Sequence, residues 1–146
     1  MKRIIMLASV MFAILCGCAS TPPPAAQPSD ALYRALGEGP GIERLVDVAL
    51  RRIHDDLRIN LFFENTDLPD LRRLLIEQIC EASGGPCTYS GRSMEEAHSG
   101  MYLSEDDFAV FVEDLVAAMN EVGMAAETQT TVLGLFGPMK PQIIEQ

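Results

Sequence analysis

Apolar residues recur at helical spacing through most of this 146-residue chain, and no stretch of strand length alternates between apolar and polar residues. Between Gly41 and Ile53 the apolar positions follow each other at intervals of three or four, and charged residues fill the positions between them. Similar stripes run from Leu68 to Ala82, from Phe108 to Val122 and onward from about Ala125. We therefore predict an all-α protein with four main helices and short connecting turns.

Local signals mark where these helices should begin and end. Pro69 suits the first turn of the second helix, and the Gly84-Gly85 pair should end that helix. Ser104 is followed three residues later by Asp107, which is typical of an N-cap with a reciprocal acid. All six apolar positions of the second stripe are expected to face inward, namely Leu68, Leu71, Leu74, Leu75, Ile79 and Ala82.

The first residues predict an export signal. Lys2 and Arg3 precede an apolar run over residues 4–15, which is too short to span a bilayer comfortably and matches the central region of a secretory signal. The run ends in Leu-Cys-Gly-Cys at residues 15–18, which resembles a bacterial lipobox. An ordinary signal peptide or membrane anchor with incidental cysteines is the alternative.

This interpretation divides the chain into three parts. Residues 1–17 are a lipoprotein signal peptide, residues 18–29 are a lipidated cysteine, Cys18, with a Pro/Ala-rich tether, and residues 30–146 are one folded domain. Because Ala19 rather than aspartate follows the lipidated residue, we expect a lipid anchor in the bacterial cell envelope, at the outer membrane facing the periplasm.

Charge and cysteine content limit the partners. The formal net charge of −10 leaves no basic patch to neutralise phosphates, so we expect no nucleic-acid partner. Outside the cytoplasm a disulfide between Cys80 and Cys87 is permitted, and it would join a helix end to the following turn; two free thiols are the alternative. We expect no zinc-type site, since no further ligand of the right type lies nearby in the sequence.

Two histidines carry the remaining chemistry, His54 and His98. With so few groups of useful pKa, the chain offers little for acid–base or nucleophilic catalysis. Axial ligation of a cofactor, by contrast, needs a single histidine. His54 lies next to Asp55 and Asp56, so we interpret it as a helix-end histidine beside acids and not as a ligand.

The stretch 84–100 (GGPCTYSGRSMEEAHSG) resembles the group 1 truncated haemoglobins. That family has here a Gly-Gly-Pro turn, a Tyr, a Gly, a Met and then the haem-ligating histidine closely followed by Gly. The resemblance covers about residues 31–144, and further matches occur in the family's order: Leu32-Tyr33, Gly37, Val46-Asp47, Asp56, Arg58, Phe62-Phe63, Phe108, Glu127, Leu133 and Gly134.

This resemblance implies a truncated globin fold, a two-over-two helical sandwich that binds haem b. His98 would be the proximal ligand of the iron, with its other ring nitrogen oriented by an acceptor. Phe63 would pack on the porphyrin face, Tyr89 would lie near the haem edge or propionates, and Phe108 would line the site. Met94 and Met101, on either side of the histidine, are expected to be packing residues.

Departures from the family shape the expected gas preference. Members that bind O2 tightly usually carry a Tyr on the family's second helix, and here that position is Leu50, in the stripe between Gly41 and Ile53. The distal-helix positions that would face the iron are Leu71 and Leu75, and Gln78 stands where a haem-shielding Phe is usual. Because O2 bound to iron gains from a hydrogen-bond donor, an apolar pocket predicts weak O2 binding and a relative preference for CO or NO.

Three functions remain open at this point. The first, which we favour, is reversible binding of a diatomic gas. The second is a haem enzyme, a nitric oxide dioxygenase or a peroxidase-like protein, which the apolar pocket and the lack of a reductase domain in this sequence make weaker. The third is a haem-free helical lipoprotein scaffold, which would have no need of His98.

Overall fold

The structure, a computed structural model, describes residues 29–144. Within this range no strand occurs, so the predicted all-α class is confirmed. Two short 3-10 helices lie at Asn60–Phe63 and Gly137–Gln142. The α-helices, in chain order, are α1 (Ala31–Ala35), α2 (Glu38–Asp55), α3 (Leu68–Ala82), α4 (Met94–His98), α5 (Glu105–Glu121) and α6 (Ala126–Phe136).

The longest helix, α2, packs against both α3 and α5. It begins three residues before the predicted start, directly after Gly37, whose φ of +82° turns the chain into the helix. The first turn, Glu-Gly-Pro-Gly, carries no apolar residue, so the hydrophobic periodicity could not reveal it. The predicted stripe is otherwise correct, with five buried residues: Ile42, Leu45, Val46, Ala49 and Ile53.

The core lies between α2, α3, α5 and α6. Full burial of a side chain such as Ile42 or Leu45 contributes about 1.5–3 kcal/mol to folding. Such burial explains why the long amphipathic helices form despite their exposed polar faces. The largest side chains that are less than 2 % exposed are Ile42, Leu45, Val46, Cys80, Met119 and Val132.

The bounds of α3 agree with the prediction, but fewer of its apolar residues face inward than predicted. Asp67 caps its first turn by accepting from the backbone N of Asp70, and the helix ends before Gly84, whose φ is +84°. Leu68 and Ala82, both predicted to face inward, are exposed. They are the first and last residues of the helix. The apolar spacing includes them, but no neighbouring element among residues 29–144 packs over the two ends.

The chain from Ser83 to Ser93, which we call the strap, joins α3 to α4. A disulfide between Cys80 and Cys87 ties the strap to the end of α3, with the two Cα atoms 5.7 Å apart. On its other side the strap accepts a hydrogen bond at the Ser83 carbonyl from the backbone N of Tyr33, at 3.1 Å. The strap therefore contacts both α1 and α3.

The start of α5 follows the predicted signal. Ser104 and Asp107 form a capping box at the start of α5, and α6 ends at Phe136, just before the proline-containing 3-10 helix. One buried group was not predicted from the sequence. Asp114 of α5 is 9 % exposed, its Oδ2 has no hydrogen-bond partner among residues 29–144, and burial raises its pKa.

The predictions for the N-terminal region concern residues that the structure does not describe. The signal peptide, the lipidation of Cys18 and most of the tether lie before residue 29 and stay predictions. Among residues 29–144, none of the helices combines the length and the apolar character needed to cross a membrane.

Candidate functional site

A mostly apolar cleft of about 510 Å³ opens between α2, α3, α4 and α5. Its volume falls in the range of small-molecule and cofactor pockets. All eight residues that the sequence proposed for a cofactor site line this cleft: Leu50, Phe63, Leu71, Leu75, Gln78, Tyr89, His98 and Phe108. They come from five helices and from the strap, which carries Tyr89, so the fold, not sequence proximity, brings them together.

His98 is the last residue of α4, a helix of five residues. Its Nδ1–H donates to the carbonyl oxygen of Met94, at 2.7 Å. A carbonyl can only accept, so this bond fixes the proton on Nδ1 and leaves the Nε2 lone pair available for a metal. Ser93 and Glu96 form a capping box at the other end of the helix, and the hydroxyl of Ser93 lowers the pKa of Glu96.

A second wall comes from α2 and α3. Leu50, Leu71 and Leu75 are half-buried and present only carbon to the cleft. Gln78, one turn further along α3, has its amide Nε2 at 3.4 Å from the Sδ of Met94 and at 3.8 Å from the Sδ of Met139. The amide donors are therefore engaged with sulfur atoms of α4 and of the C-terminal 3-10 helix.

Aromatic side chains close one end of the cleft. The rings of Phe108 and Phe111 lie 6.4 Å apart, and that of Phe136 meets Phe111 edge-on at 6.3 Å. Lys140 lies 5.8 Å from the centre of the Phe108 ring and pairs with Glu105 at 2.9 Å. Phe63 lines the cleft from the first 3-10 helix, as does its neighbour Phe62.

Tyr89 reaches the cleft from the strap. Its hydroxyl donates to the carbonyl oxygen of Arg92 at 2.9 Å, and burial raises its pKa. Next to it, Ser90 donates from its backbone N and its hydroxyl to Glu77 of α3, at 3.0 and 2.7 Å. Tyr89 is thus held in a tight turn whose neighbouring residue is bonded to α3.

Polar groups also line the cleft. Arg92 is the cation among them, and its Nη1 lies 3.5 Å from the carbonyl oxygen of Glu96. The remaining polar lining residues, other than Gln78, Tyr89 and His98, are Asn65, Thr66, Asp67, Asp70 and Asp107. Charge is therefore sparse beside the apolar walls.

His54 takes no part in the cleft. It lies near the end of α2, as the sequence predicted, it is exposed, and it does not belong to the lining. Within residues 29–144, no group of three or more His, Cys, Asp or Glu side chains could hold a metal ion. A shallow second pocket beside the end of α2, which contains Asp114, is lined mainly by arginines and aspartates.

Several lining residues were not assigned to the site from the sequence. Phe111, Phe136 and Met139 belong to apolar stripes that predicted only core, while Ile143 and Arg92 carried no signal. Met94 and Met101 were expected to pack, and both line the cleft beside His98. A helical stripe cannot show whether its inner side meets core or cavity, because both surfaces are apolar.

Comparison with known proteins agrees with this geometry. The model of the family described as bacterial-like globin matches residues 31–145. A group 1 truncated hemoglobin of Nostoc sp. (strain MUN 8820) is 31 % identical over 115 residues, which span 79 % of this chain and 98 % of that protein. One of Synechocystis sp. is 31 % identical over 110 residues, covering 73 % of this chain and 89 % of that protein.

Solved structures give the same result. Truncated hemoglobin from Tetrahymena pyriformis superposes with a TM-score of 0.76 at 25 % identity, covering 79 % of this chain and 98 % of that one. The 2/2 hemoglobin of Synechococcus sp., solved with covalently attached heme, gives 0.70 at 26 % identity, covering 76 % and 94 %. The predicted two-over-two sandwich is confirmed. The chain belongs to the bacterial-like globins and, among them, to the group 1 truncated haemoglobins, a family of haem-binding globins.

Proposed function

We propose that this chain holds haem b in the cleft through His98 and binds a diatomic gas reversibly there. The observation that carries this proposal is the His98 Nδ1–H bond to the Met94 carbonyl, because it leaves Nε2 free as a ligand inside the cleft. The apolar walls and the volume of about 510 Å³ suit a flat, largely hydrophobic group. Haem held there by His98 would supply an iron centre that can bind O2, CO or NO.

The α2–α3 wall supports a relative preference for CO or NO over O2. Leu50, Leu71 and Leu75 offer no hydrogen-bond donor. Losing a donor to a charged acceptor costs about 1.5–3 kcal/mol, and O2 gains more from such a donor than CO does. Gln78 is the polar candidate on this wall, but its amide is engaged with the sulfurs of Met94 and Met139. Since a thioether is a weak acceptor, that amide could still turn to another partner.

An absorption experiment tests haem binding and the role of His98 together. The chain from residue 29 onward contains the whole described core, so it can be loaded with haem and measured in ferric, ferrous and CO forms. We expect a sharp Soret band that shifts with CO and is lost in His98→Ala. His54→Ala is the matched control, because it removes an exposed histidine outside the cleft, and it should behave as the wild type. A free-haem spectrum that His98→Ala leaves unchanged would support the scaffold function instead.

We further propose that the mature chain is a lipoprotein of the cell envelope, anchored through Cys18. The sequence at residues 15–18 supports this, and the Cys80–Cys87 disulfide suits an oxidising compartment. Expression of the full chain in a bacterial host with a labelled fatty acid tests it. The label should be incorporated by the wild type and lost in Cys18→Ser, while Cys16→Ser serves as the control for a neighbouring cysteine. Equal labelling of all three chains, or none, would rule the anchor out.

A further inference from the structure

The strap runs back along α3 instead of leading away from it. Cys87 is bonded to Cys80, and three residues further along the strap Ser90 contacts Glu77, almost one turn earlier in α3. As the strap advances, its partners on the helix therefore move backward. Two ties of different chemistry hold it there, one covalent and one polar.

The polar tie is a compact group of charged and hydroxyl side chains. Glu77 accepts from the backbone N and the hydroxyl of Ser90, and Arg73 donates to the same hydroxyl at 2.8 Å and to Glu77 at 2.6 Å. The hydrogen bonds from Ser90, with a further contribution from Arg73, lower the pKa of Glu77, so the carboxylate is ionised at neutral pH. Bonds to an ionised acceptor are stronger than those between neutral groups.

The strap leads directly to the wall that carries His98. Tyr89 and Arg92 of the strap line the cleft, and Ser93 at its end caps α4. Because α4 has only five residues, its own hydrogen bonds hold it poorly. Its position depends on its packing against the C-terminal 3-10 helix and on the chain that enters it. How firmly the strap lies on α3 therefore contributes to the separation between α3 and His98, beside the direct contact of Gln78 with Met94.

We propose that the Cys80–Cys87 disulfide and the Glu77–Ser90 contact are positioning elements for the cofactor: together they hold the His98 wall at the separation at which the cleft retains haem. This inference rests on the proposed haem binding. With both ties intact the strap stays on α3 and haem leaves slowly. Loss of either tie lets the strap lift, and haem leaves faster.

The test is the rate of haem transfer from the loaded chain to an excess of apomyoglobin. Glu77→Ala removes the polar tie, and Glu81→Ala is its matched control, since Glu81 is an exposed glutamate one turn further along the same helix. We expect Glu77→Ala to speed transfer about threefold, as for an exposed ionic contact, and Glu81→Ala to leave it unchanged. Replacing Cys80 and Cys87 together by Ala should speed it about tenfold.

Combining the changes separates positioning from general stability. Each tie limits the movement that loss of the other allows, so Glu77→Ala should speed transfer more than threefold once the disulfide is absent. If these residues only stabilised the fold, their replacement would lower the unfolding midpoint of the haem-free chain. The effects of the Glu77 and cysteine substitutions on haem transfer would then be independent of each other. If the double cysteine variant does not fold, the disulfide of the loaded protein can be reduced by a phosphine. The phosphine gives two electrons and becomes its oxide with oxygen from water, while the two sulfurs take up protons.

The outcomes distinguish this inference from the proposed function. Equal transfer rates for Glu77→Ala and Glu81→Ala, with the disulfide present and with it absent, would show that the strap does not control retention. A wild-type chain with no bound-haem spectrum would overturn the proposed function first, and would be evident before any variant is made.

Discussion

The wall of the cleft formed by α3 is one uninterrupted helix of 15 residues, whereas the wall that carries His98 is a helix of five residues entered by the irregular strap. Periodic apolar contacts with the core hold the first wall in place. Individual bonds hold the second: a disulfide, a capping box and the Glu77–Ser90 contact. A wall held by many similar contacts should tolerate substitution, while one held by a few specific bonds should not.

The largest expected effect is a loss of folding stability when a side chain is added at a closely packed glycine of the strap. A Cβ added at Gly85 would lie 2.6 Å from Cδ2 of Tyr33 and 2.7 Å from the Sγ of Cys80, which the disulfide holds in place. Gly85→Ala should therefore destabilise the chain by about 1–3 kcal/mol in urea unfolding. Gly134→Ala in α6 is the control, because a Cβ there meets nothing within 4 Å. Similar unfolding midpoints for the two variants would mean that the strap is less tightly specified than its contacts indicate.

A donor introduced into the α3 wall tests its tolerance and the proposed gas preference. Leu71→Gln places an amide in the apolar part of the cleft, and we expect O2 to dissociate about tenfold more slowly from the loaded protein. Leu71→Met keeps the volume without the donor, so it should leave the rate near that of the wild type. Stopped-flow measurement after flash or chemical removal of O2 gives the rates. If O2 dissociation is slowed in neither Leu71→Gln nor Leu75→Gln, these leucines do not lie beside the bound gas.

Removing the amide of Gln78, which is already present on this wall, tests whether it contacts the bound gas. Because Gln78 donates to sulfur atoms of Met94 and Met139, Gln78→Leu should change O2 dissociation much less than Leu71→Gln does. A large acceleration in Gln78→Leu would show that this amide turns toward the gas.

Helix caps compare the two walls directly. Ser93 caps α4 and Asp67 caps α3, each accepting a backbone N–H of the first turn. Replacement of either by Ala should cost about 1 kcal/mol of folding free energy. We expect Ser93→Ala to accelerate haem transfer to apomyoglobin more than Asp67→Ala does, because only α4 is too short to keep its position without the cap. Equal acceleration of haem transfer would show that α4 depends on its cap no more than α3 does.

The smallest expected effect is a pH dependence of the His98 wall. The hydroxyl of Ser93 lowers the pKa of Glu96, so this contact is fully stabilising above about pH 4.5 and is lost as the pH falls through the lower, folded-state pKa. Glu96→Gln should flatten the decline in unfolding free energy below pH 4.5. Glu95→Gln removes the same charge from the same helix and leaves the Ser93 contact in place, so the decline should persist in it.

The regular wall was the easier one to predict from the sequence. The bounds of α3 followed from its apolar spacing, a proline in the first turn and the two glycines after it. The positions of Leu71 and Leu75 in the cleft followed from the same spacing together with the family resemblance. The exposure of Leu68 could not be predicted, because periodicity does not report where a neighbouring element stops.

The His98 wall was accessible through its motif alone. Helical spacing gives no signal in a helix of five residues, so His98 and Tyr89 were recognised by resemblance. Contacts between distant residues stayed out of reach, including the bonds from Gln78 to two sulfurs and the tie between Glu77 and Ser90. The buried Asp114 lay inside a helical stripe that predicted only an apolar interior beside exposed acids.

The environment of Lys140 has a practical consequence for labelling chemistry. No other lysine occurs in the chain after Lys2, and Lys140 lies over the ring of Phe108, a cleft residue. In the chain from residue 29, an amine-reactive dye would attach there and at the terminal amine. At Lys140 it would lie within a few side chains of the cleft, and a fluorophore that close to haem loses its emission by energy transfer. A single fluorescence trace would then follow loading and loss of the cofactor without a reporter substitution.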